Sequence, residues 1–295
     1  MNALMEHPES MTQSETWTAL LASLPAITLD DLCDEAALLR RVDRKYAVSD
    51  EQACEVVRMM AETGARILSI DGSREFRYLS DYYDTPHLAL YHDAATGRRR
   101  RFKLRKRVYL DSGAEFLELK TRGPRSMNVK DRLERDSGAA GLWPGLSGSE
   151  RPLYADADAF EWVSGRLLDR GVAADGPTAL ALIGRLAPVM RSTYRRSTLV
   201  TPGGTRVTMD SGLVLSALGT VAEDIGPRPA DREPPAIPTI IETKSAEGIS
   251  PVDRYLWRGG HRPARISKYA LGIAQAYRVP ANRWTRTMKN IGVAA

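Results

Sequence analysis

The sequence predicts an α+β protein built on an antiparallel β-barrel or tunnel, with a polar, basic lumen and helices packed on the outside. Three observations carry this expectation. Residues 98–109 interleave basic and apolar side chains at the period of a strand. Because successive strand side chains point to opposite faces, Arg101, Lys103, Arg105, Arg107 and Tyr109 share one face, and Phe102, Leu104, Val108 and Leu110 share the other. Lys106 alone breaks the apolar row. The same grammar returns in residues 116–120, where Leu117 and Leu119 oppose Glu118 and Lys120. It returns again in 41–48, where Arg41, Asp43 and Lys45 oppose Val42, Tyr46 and Val48, and in 240–244, where Glu242 and Lys244 project together. The third observation is the series of hairpin signals, Asp111-Ser112-Gly113 and Pro202-Gly203-Gly204, broken by a few helices. Hairpins in series give an antiparallel sheet covered by helices on its apolar face, and closing that sheet would line a lumen with its charges and leave no edge unmanaged.

Taken in order, residues 1–25 are polar and unpatterned and read as a flexible leader, 26–280 as one folded domain, and 281–295 as a C-terminal tail. Thr28-Leu29-Asp30-Asp31 resembles a capping box opening a short helix through Leu38 and Leu39. Ser49-Asp50-Glu51-Gln52 caps a second helix with Val56, Val57 and Met60 on its buried stripe and Gly64 at its end. A strand is expected over 75–83, then the turn Asp84-Thr85-Pro86, the basic hairpin, and a strand over 129–135. Residues 138–149 read as a glycine-rich loop, and 157–170 as an amphipathic helix through Phe160, Val163 and Leu167. Strands follow over 190–201 and 205–214, then a proline-rich connection over 226–238, the strand holding Glu242, and a helix capped by Ser267 that runs through Tyr277. No repeat of fixed period is evident.

Composition excludes several classes. With 295 residues and 43% hydrophobic content the chain can bury a substantial core. Its 42 Lys and Arg against 37 Asp and Glu leave a formal charge of +5, so the clustering of charge matters more than its excess. Cys33 and Cys54 have no metal-ligand or disulfide spacing, which points to a reducing, cytoplasmic setting. Neither a signal peptide nor an apolar run of membrane-spanning length is present. The basic strand lacks aromatic residues for base stacking beyond Phe102 and Tyr109, which argues against a nucleic-acid partner. His87, His92 and His261 have no ligand or triad spacing, Asp84 reads as a turn residue, and Tyr82, Tyr83 and Tyr91 read as core.

Several short motifs occur together in one order: Arg41-x-Asp43-x-Lys45-Tyr46, Tyr83-Asp84-Thr85-Pro86 with Leu90-Tyr91, Lys103-x-Arg105-x-Arg107-x-Tyr109, Leu117-Glu118-Leu119-Lys120, Tyr194-x-Arg196, Arg206-x-Thr208-x-Asp210, Glu242-Thr243-Lys244 and Ser267-Lys268-Tyr269-x-x-Gly272. In this order, over residues 40–275, the chain resembles the VTC domain, the polyphosphate polymerase module of the triphosphate tunnel metalloenzyme superfamily. The resemblance implies that Lys45, Arg105, Arg107, Arg196, Arg206 and Lys268 contact phosphates in catalysis. It implies that Lys103, Lys120, Lys130, Arg132 and Ser267 line the substrate path, and that Glu242, with Glu118, holds a divalent Mn or Mg ion. Arg offers phosphate oxygens a planar fork and Lys a compact point charge, so these residue types suit the task. The chain departs from the family at Asp43, where Glu is frequent, and in the run of arginines 98–101, which is more basic than the pattern needs and extends the tunnel mouth.

The implied activity is a metal-dependent phosphotransferase that forms polyphosphate from ATP. Two alternatives stay open: a triphosphatase in the same tunnel, and a non-catalytic module that binds polyphosphate or an inositol phosphate. Glu118 and Glu242 also admit a plainer reading, as salt-bridge partners of neighbouring Arg and Lys.

Overall fold

The computed structural model describes residues 13–35, 42–122, 128–135, 151–218, 221–222, 224–226, 236–246 and 248–292. In chain order these form α1 (Gln13–Ser23), β1 (Ala26–Ile27), α2 (Leu29–Glu35), β2 (Val42–Val48), α3 (Asp50–Glu62), β3 (Arg66–Leu68), β4 (Phe76–Asp84), α4 (Ala89–Thr96), β5 (Phe102–Tyr109), β6 (Glu115–Arg122) and β7 (Asn128–Arg135). The chain continues through α5 (Ala157–Asp169), α6 (Gly176–Ile183), β8 (Ala187–Val200), β9 (Arg206–Ala217), β10 (Thr239–Ser245), α7 (Pro251–Arg258), α8 (Lys268–Ala276) and α9 (Thr285–Asn290). Arg41, the glycine-rich loop 138–149, the first twelve residues of the expected leader and much of the proline-rich connection lie outside the described residues.

The hydrogen-bonded strand order is β2-β10-β9-β8-β4-β5-β6-β7, with β2 and β9 antiparallel to β10, β8 and β5 antiparallel to β4, and β5, β6 and β7 antiparallel in series; off this path β1 pairs parallel with β3. The expected closed barrel is therefore not what forms among the described residues, because β2 and β7 end the order without pairing to each other. The alternation of residues fixes which face is charged, and that pattern is the same in an open and a closed sheet. β7, with Lys130, Asp131, Arg132, Glu134 and Arg135, has the charged character of a protected edge.

The chain divides into two compact units. The first comprises Met1–Glu75, Ser197–Ser211 and Pro238–Pro263. In it α3 buries Ala53, Val56, Val57 and Met60, the i, i+3, i+4, i+7 stripe of an amphipathic helix, against Tyr46, Val48, Val207, Met209 and Ile241 of the strands. The predicted capping box forms, Ser49 and Gln52 satisfying each other's backbone N–H, and Gly64 at φ +76° takes the left-handed turn after the helix. Residues 13–23, expected as unpatterned leader, form α1, with Leu21 and Leu24 buried in this core.

Beneath the sheet the carboxylate of Asp253, fully buried on α7, accepts from Tyr46 Oη and Thr243 Oγ1, both at 2.7 Å, from Ser250 Oγ at 2.8 Å and from Arg44 at 3.1 Å. Burial alone would raise its pKa, but the Thr243, Tyr46 and Ser250 donors outweigh burial and hold it below the ordinary value.

The second unit comprises Phe76–Arg196, Gly212–Ile237 and Ala264–Ala295. Phe102, Leu104, Leu117 and Leu119 pack its apolar sheet face against Val163 and Leu167 of α5 and Ile183 of α6. Asp84, expected as a turn residue, ends β4 and accepts from the N–H groups of Thr85, Leu90 and Tyr91, anchoring the start of α4, and from the Tyr269 hydroxyl. Burial pushes its pKa up to about 6 against those donors. The segment expected as a tail continues through α9, with Trp284 and Met288 buried.

Candidate functional site

In the second unit the register turns the one-dimensional charge pattern into rows. Arg105 stands opposite Tyr82 on one side and Glu118 on the other, and Glu118 opposite Arg132. Arg107 lies between Ser80 and Phe116, and Lys103, Lys120 and Lys130 form the next row. Directly paired residues in a sheet share a face, so all of these project the same way.

Glu118 is the centre of this face. It is 2% exposed, and its carboxylate meets Arg105 Nε at 2.7 Å, Lys130 Nζ at 2.6 Å, Arg132 at 2.9 Å and Arg107 at 3.8 Å. Burial opposes its ionisation, yet Arg105, Arg107 and Lys130 together hold its pKa far below the usual carboxylate range. The pKa of Lys130 is lowered too, but there the shift disfavours the charged form: burial lowers it to about 8, with Glu118 only partly offsetting the effect. A carboxylate whose oxygens serve four cations is the environment of a residue that positions arginines.

Aromatic rings stand beside Arg196 and Lys268. The Arg196 guanidinium sits 5.2 Å from the Tyr78 ring centre, and Lys268 Nζ 4.2 Å from that of Tyr194. Arg107 donates to Tyr194 Oη at 3.3 Å and Lys103 to Ser267 Oγ at 2.9 Å. Ser267 also caps α8, so one side chain ties Lys103 to the helix that presents Lys268.

Tyr82, expected as a core residue, belongs to this face. Its hydroxyl accepts from Arg105 at 3.3 Å and its ring stacks 5.4 Å from that of Tyr269. Burial would raise the phenol's pKa, but Arg105, Lys268 and Arg107 outweigh burial and lower it. The signal was the spacing of Tyr78, Ser80 and Tyr82, which are alternate residues opposite Tyr109, Arg107 and Arg105. Only the register discloses that partnership.

Within the second unit the structure thus brings together Lys103, Arg105, Arg107, Glu118, Lys120, Lys130, Arg132, Arg196, Ser267 and Lys268. The other expected residues lie in the first unit, again in rows. Glu242 pairs with Lys45 on β2 and Thr208 on β9, and Lys244 with Asp43 and Arg206. Lys244 Nζ is 3.7 Å from the Glu242 carboxylate. Thr208 Oγ1 is buried without a hydrogen-bond partner, and Asp210 lies two residues along β9 on the same face. Among the described residues no group of three or more His, Cys, Asp and Glu could by itself hold a metal. Glu242 beside an unsatisfied hydroxyl fits a hard cation that keeps most of its ligands from water and phosphate oxygens, as Mg²⁺ does.

The model of the VTC domain family matches residues 40–277. The chain belongs to this family. No curated protein matches it. Among solved structures, the domain is similar to a putative adenylyl cyclase from Hippeastrum described as having a dominant triphosphatase activity, at 13% identity over 82% of this chain and 99% of that one, with a TM-score of 0.42. It is also similar to a protein from Pyrococcus horikoshii OT3, at 14% identity over 74% and 85% of the two chains and a TM-score of 0.34. An inorganic triphosphatase gives 13% identity over 71% and 76%, with a TM-score of 0.23. No helix among the described residues of this VTC domain is long and apolar enough to cross a membrane.

Proposed function

We propose that this VTC domain is a phosphotransferase that extends polyphosphate from ATP. The observation that carries the reading is the convergence of Arg105, Arg107, Lys130 and Arg132 on the single carboxylate of Glu118. So many cations on one face of a sheet repel each other unless an anion with several negative oxygens joins them. A triphosphate or a phosphate chain is such an anion, and guanidinium forks match its oxygens.

In the reaction a terminal oxygen of the growing chain attacks the γ-phosphorus of ATP in line. The bond from that phosphorus to the β,γ-bridging oxygen breaks, and ADP leaves with that oxygen. Arg105 and Arg107, aligned by Glu118, bind the equatorial oxygens and stabilise the charge that develops on them, with Arg196 and Lys268 holding the flanking phosphates. In the first unit Lys45 and Arg206 take the phosphate-binding role, and Glu242 with Thr208 would hold a divalent Mn or Mg ion. That ion, when bound, supplies Lewis-acid neutralisation of phosphate oxygens. No protein nucleophile is needed, in keeping with phosphoryl transfer driven by positioning and electrostatics.

The test is incubation of the purified protein with ATP and Mn²⁺ or Mg²⁺, followed by gel separation of the products. Long phosphate chains with stoichiometric ADP are expected. Orthophosphate alone would make the domain a triphosphatase, and binding without turnover would make it a polyanion receptor.

A further inference from the structure

In the second unit the carboxylate of Asp84, fully buried at the end of β4, caps a helix to which it does not belong. The N-cap of α4 is Leu88, held at φ +54° and offering no side-chain acceptor. Asp84 takes its place: Oδ1 accepts from the N–H groups of Thr85 at 2.7 Å and Leu90 at 2.8 Å, and Oδ2 from that of Tyr91 at 2.8 Å, while Thr85 Oγ1 accepts from Ala89 at 3.0 Å. The N–H groups of Ala89, Leu90 and Tyr91, the first three of the helix, are thereby satisfied. A cap needs nothing more, yet Oδ2 accepts a further bond from the hydroxyl of Tyr269, which is 2% exposed and lies 185 residues along the chain.

We propose that Asp84 is a positioning residue for phosphate binding, which sets the first turn of α8 through the Tyr269 hydroxyl and so places the adjoining Lys268 amino group on the cationic face. Lys268 and Tyr269 are the first two helical residues after the Ser267 cap. Consecutive helical residues stand about 100° apart around the axis, so tying Tyr269 to a carboxylate fixes the direction in which Lys268 projects. Its Nζ then lies 4.2 Å from the Tyr194 ring centre, and Tyr194 Oη accepts from Arg107 at 3.3 Å. A hydroxyl donating to a buried carboxylate is the kind of bond that orients its donor most strongly. A purely structural Asp84 would cap α4 and leave α8 to its own packing, since Leu271, Ile273 and Ala274 bury that helix without it. The inference rests on the reading of the cationic face as a phosphate site.

Calorimetric titration of the full chain with tripolyphosphate tests it in wild type, Tyr269→Phe, Lys268→Gln and the double variant. Phenylalanine removes one hydroxyl and keeps both the ring that stacks on Tyr82 and the backbone bonds of Asp84. A charge-assisted phosphate contact is worth about tenfold, so Lys268→Gln should weaken binding about tenfold and Tyr269→Phe several-fold. Because the hydroxyl acts through Lys268, the double variant should match Lys268→Gln alone to within about twofold. Wild-type affinity in Tyr269→Phe overturns the proposal, and so does a fully additive loss in the double variant. Asp84→Asn should lower affinity as Tyr269→Phe does and add nothing to it; if Asp84→Asn does not fold, the Tyr269→Phe cycle decides. An unchanged affinity in Lys268→Gln removes that residue from the phosphate site, and the phosphate reading of Lys268 fails. The positioning is then judged without phosphate, by the Tyr82 phenol, whose pKa burial raises and Arg105 and Lys268 lower. Its titration step, taken against a Tyr82→Phe blank, should move upward in Tyr269→Phe; a step that stays in place overturns the role of Asp84.

Discussion

Arg105 and Glu118 stand directly opposite each other on β5 and β6, and the guanidinium of one lies on the carboxylate of the other at 2.7 Å. Around this pair the protein gathers three further cations, so Glu118 is the anion on which the second unit's charged face is assembled.

Glu118→Gln keeps the shape of the side chain and leaves buried cations without their shared counter-charge. A loss of about 3 kcal/mol or more in chemical denaturation is expected. The sign with pH follows from the depressed pKa: the stability Glu118 contributes is present above the ordinary carboxylate value of 4.5 and is lost as pH falls toward the folded value. Wild type should therefore lose more stability than the variant on acidification from about pH 5 to about pH 2. Parallel acid limbs for the two proteins would remove Glu118 from its central role.

Tripolyphosphate should raise the melting temperature beyond the effect of sulfate at matched ionic strength, because it binds only the native state. At a hundredfold excess over Kd the gain is about 2.7 kcal/mol. The Arg105→Ala, Arg107→Ala double variant should respond less. An undiminished response would return the charged face to solvated surface.

Tyr82 should titrate below the ordinary phenol value of 10, since neighbouring cations favour its phenolate. A tyrosinate absorbance step at reduced pH, missing in Tyr82→Phe and moved upward by tripolyphosphate, is the expected signature. The upward movement follows because an added polyanion offsets Arg105 and Lys268.

Gly272→Ala should destabilise the protein by about 1–3 kcal/mol, the usual cost of overpacking. A Cβ there would lie 2.8 Å from Met190 Cγ and Sδ, so the buried Met190 side chain on β8 would have to shift to admit it. Met190→Ala should rescue the variant; a melting temperature equal to wild type in Gly272→Ala alone would refute the close-packing account.

Much of this was legible from residue alternation. The cationic row on β5, its Glu118 and Lys120 neighbours, the capped α3 and the Ser267 cap all follow from spacing and cap chemistry. What stayed hidden depends on register or on contacts distant in sequence. Tyr82 carries no charge of its own to mark it, and its place at the site shows only in its pairing with Arg105 and its stacking on Tyr269. Asp253 lies 207 residues from Tyr46 along the chain, and no local pattern announces that bond. Closure of the sheet was inferred from the polarity of its faces, which constrains the direction of side chains but not the pairing of the outermost strands.

The carboxylate at the centre of the cationic face also bears on kinetics. If the proposed phosphate role holds, Glu118 is a tethered competitor: it already contacts the Arg105 and Arg107 guanidinium groups that an arriving phosphate would engage, as an intramolecular rival to the ligand. On that reading a departing phosphate would be replaced by this resident group, so the arginines would not be left bare while the ligand leaves. Such a substitute lowers the barrier to release and to stepwise movement of a bound chain, exchanging some tightness of grip for turnover.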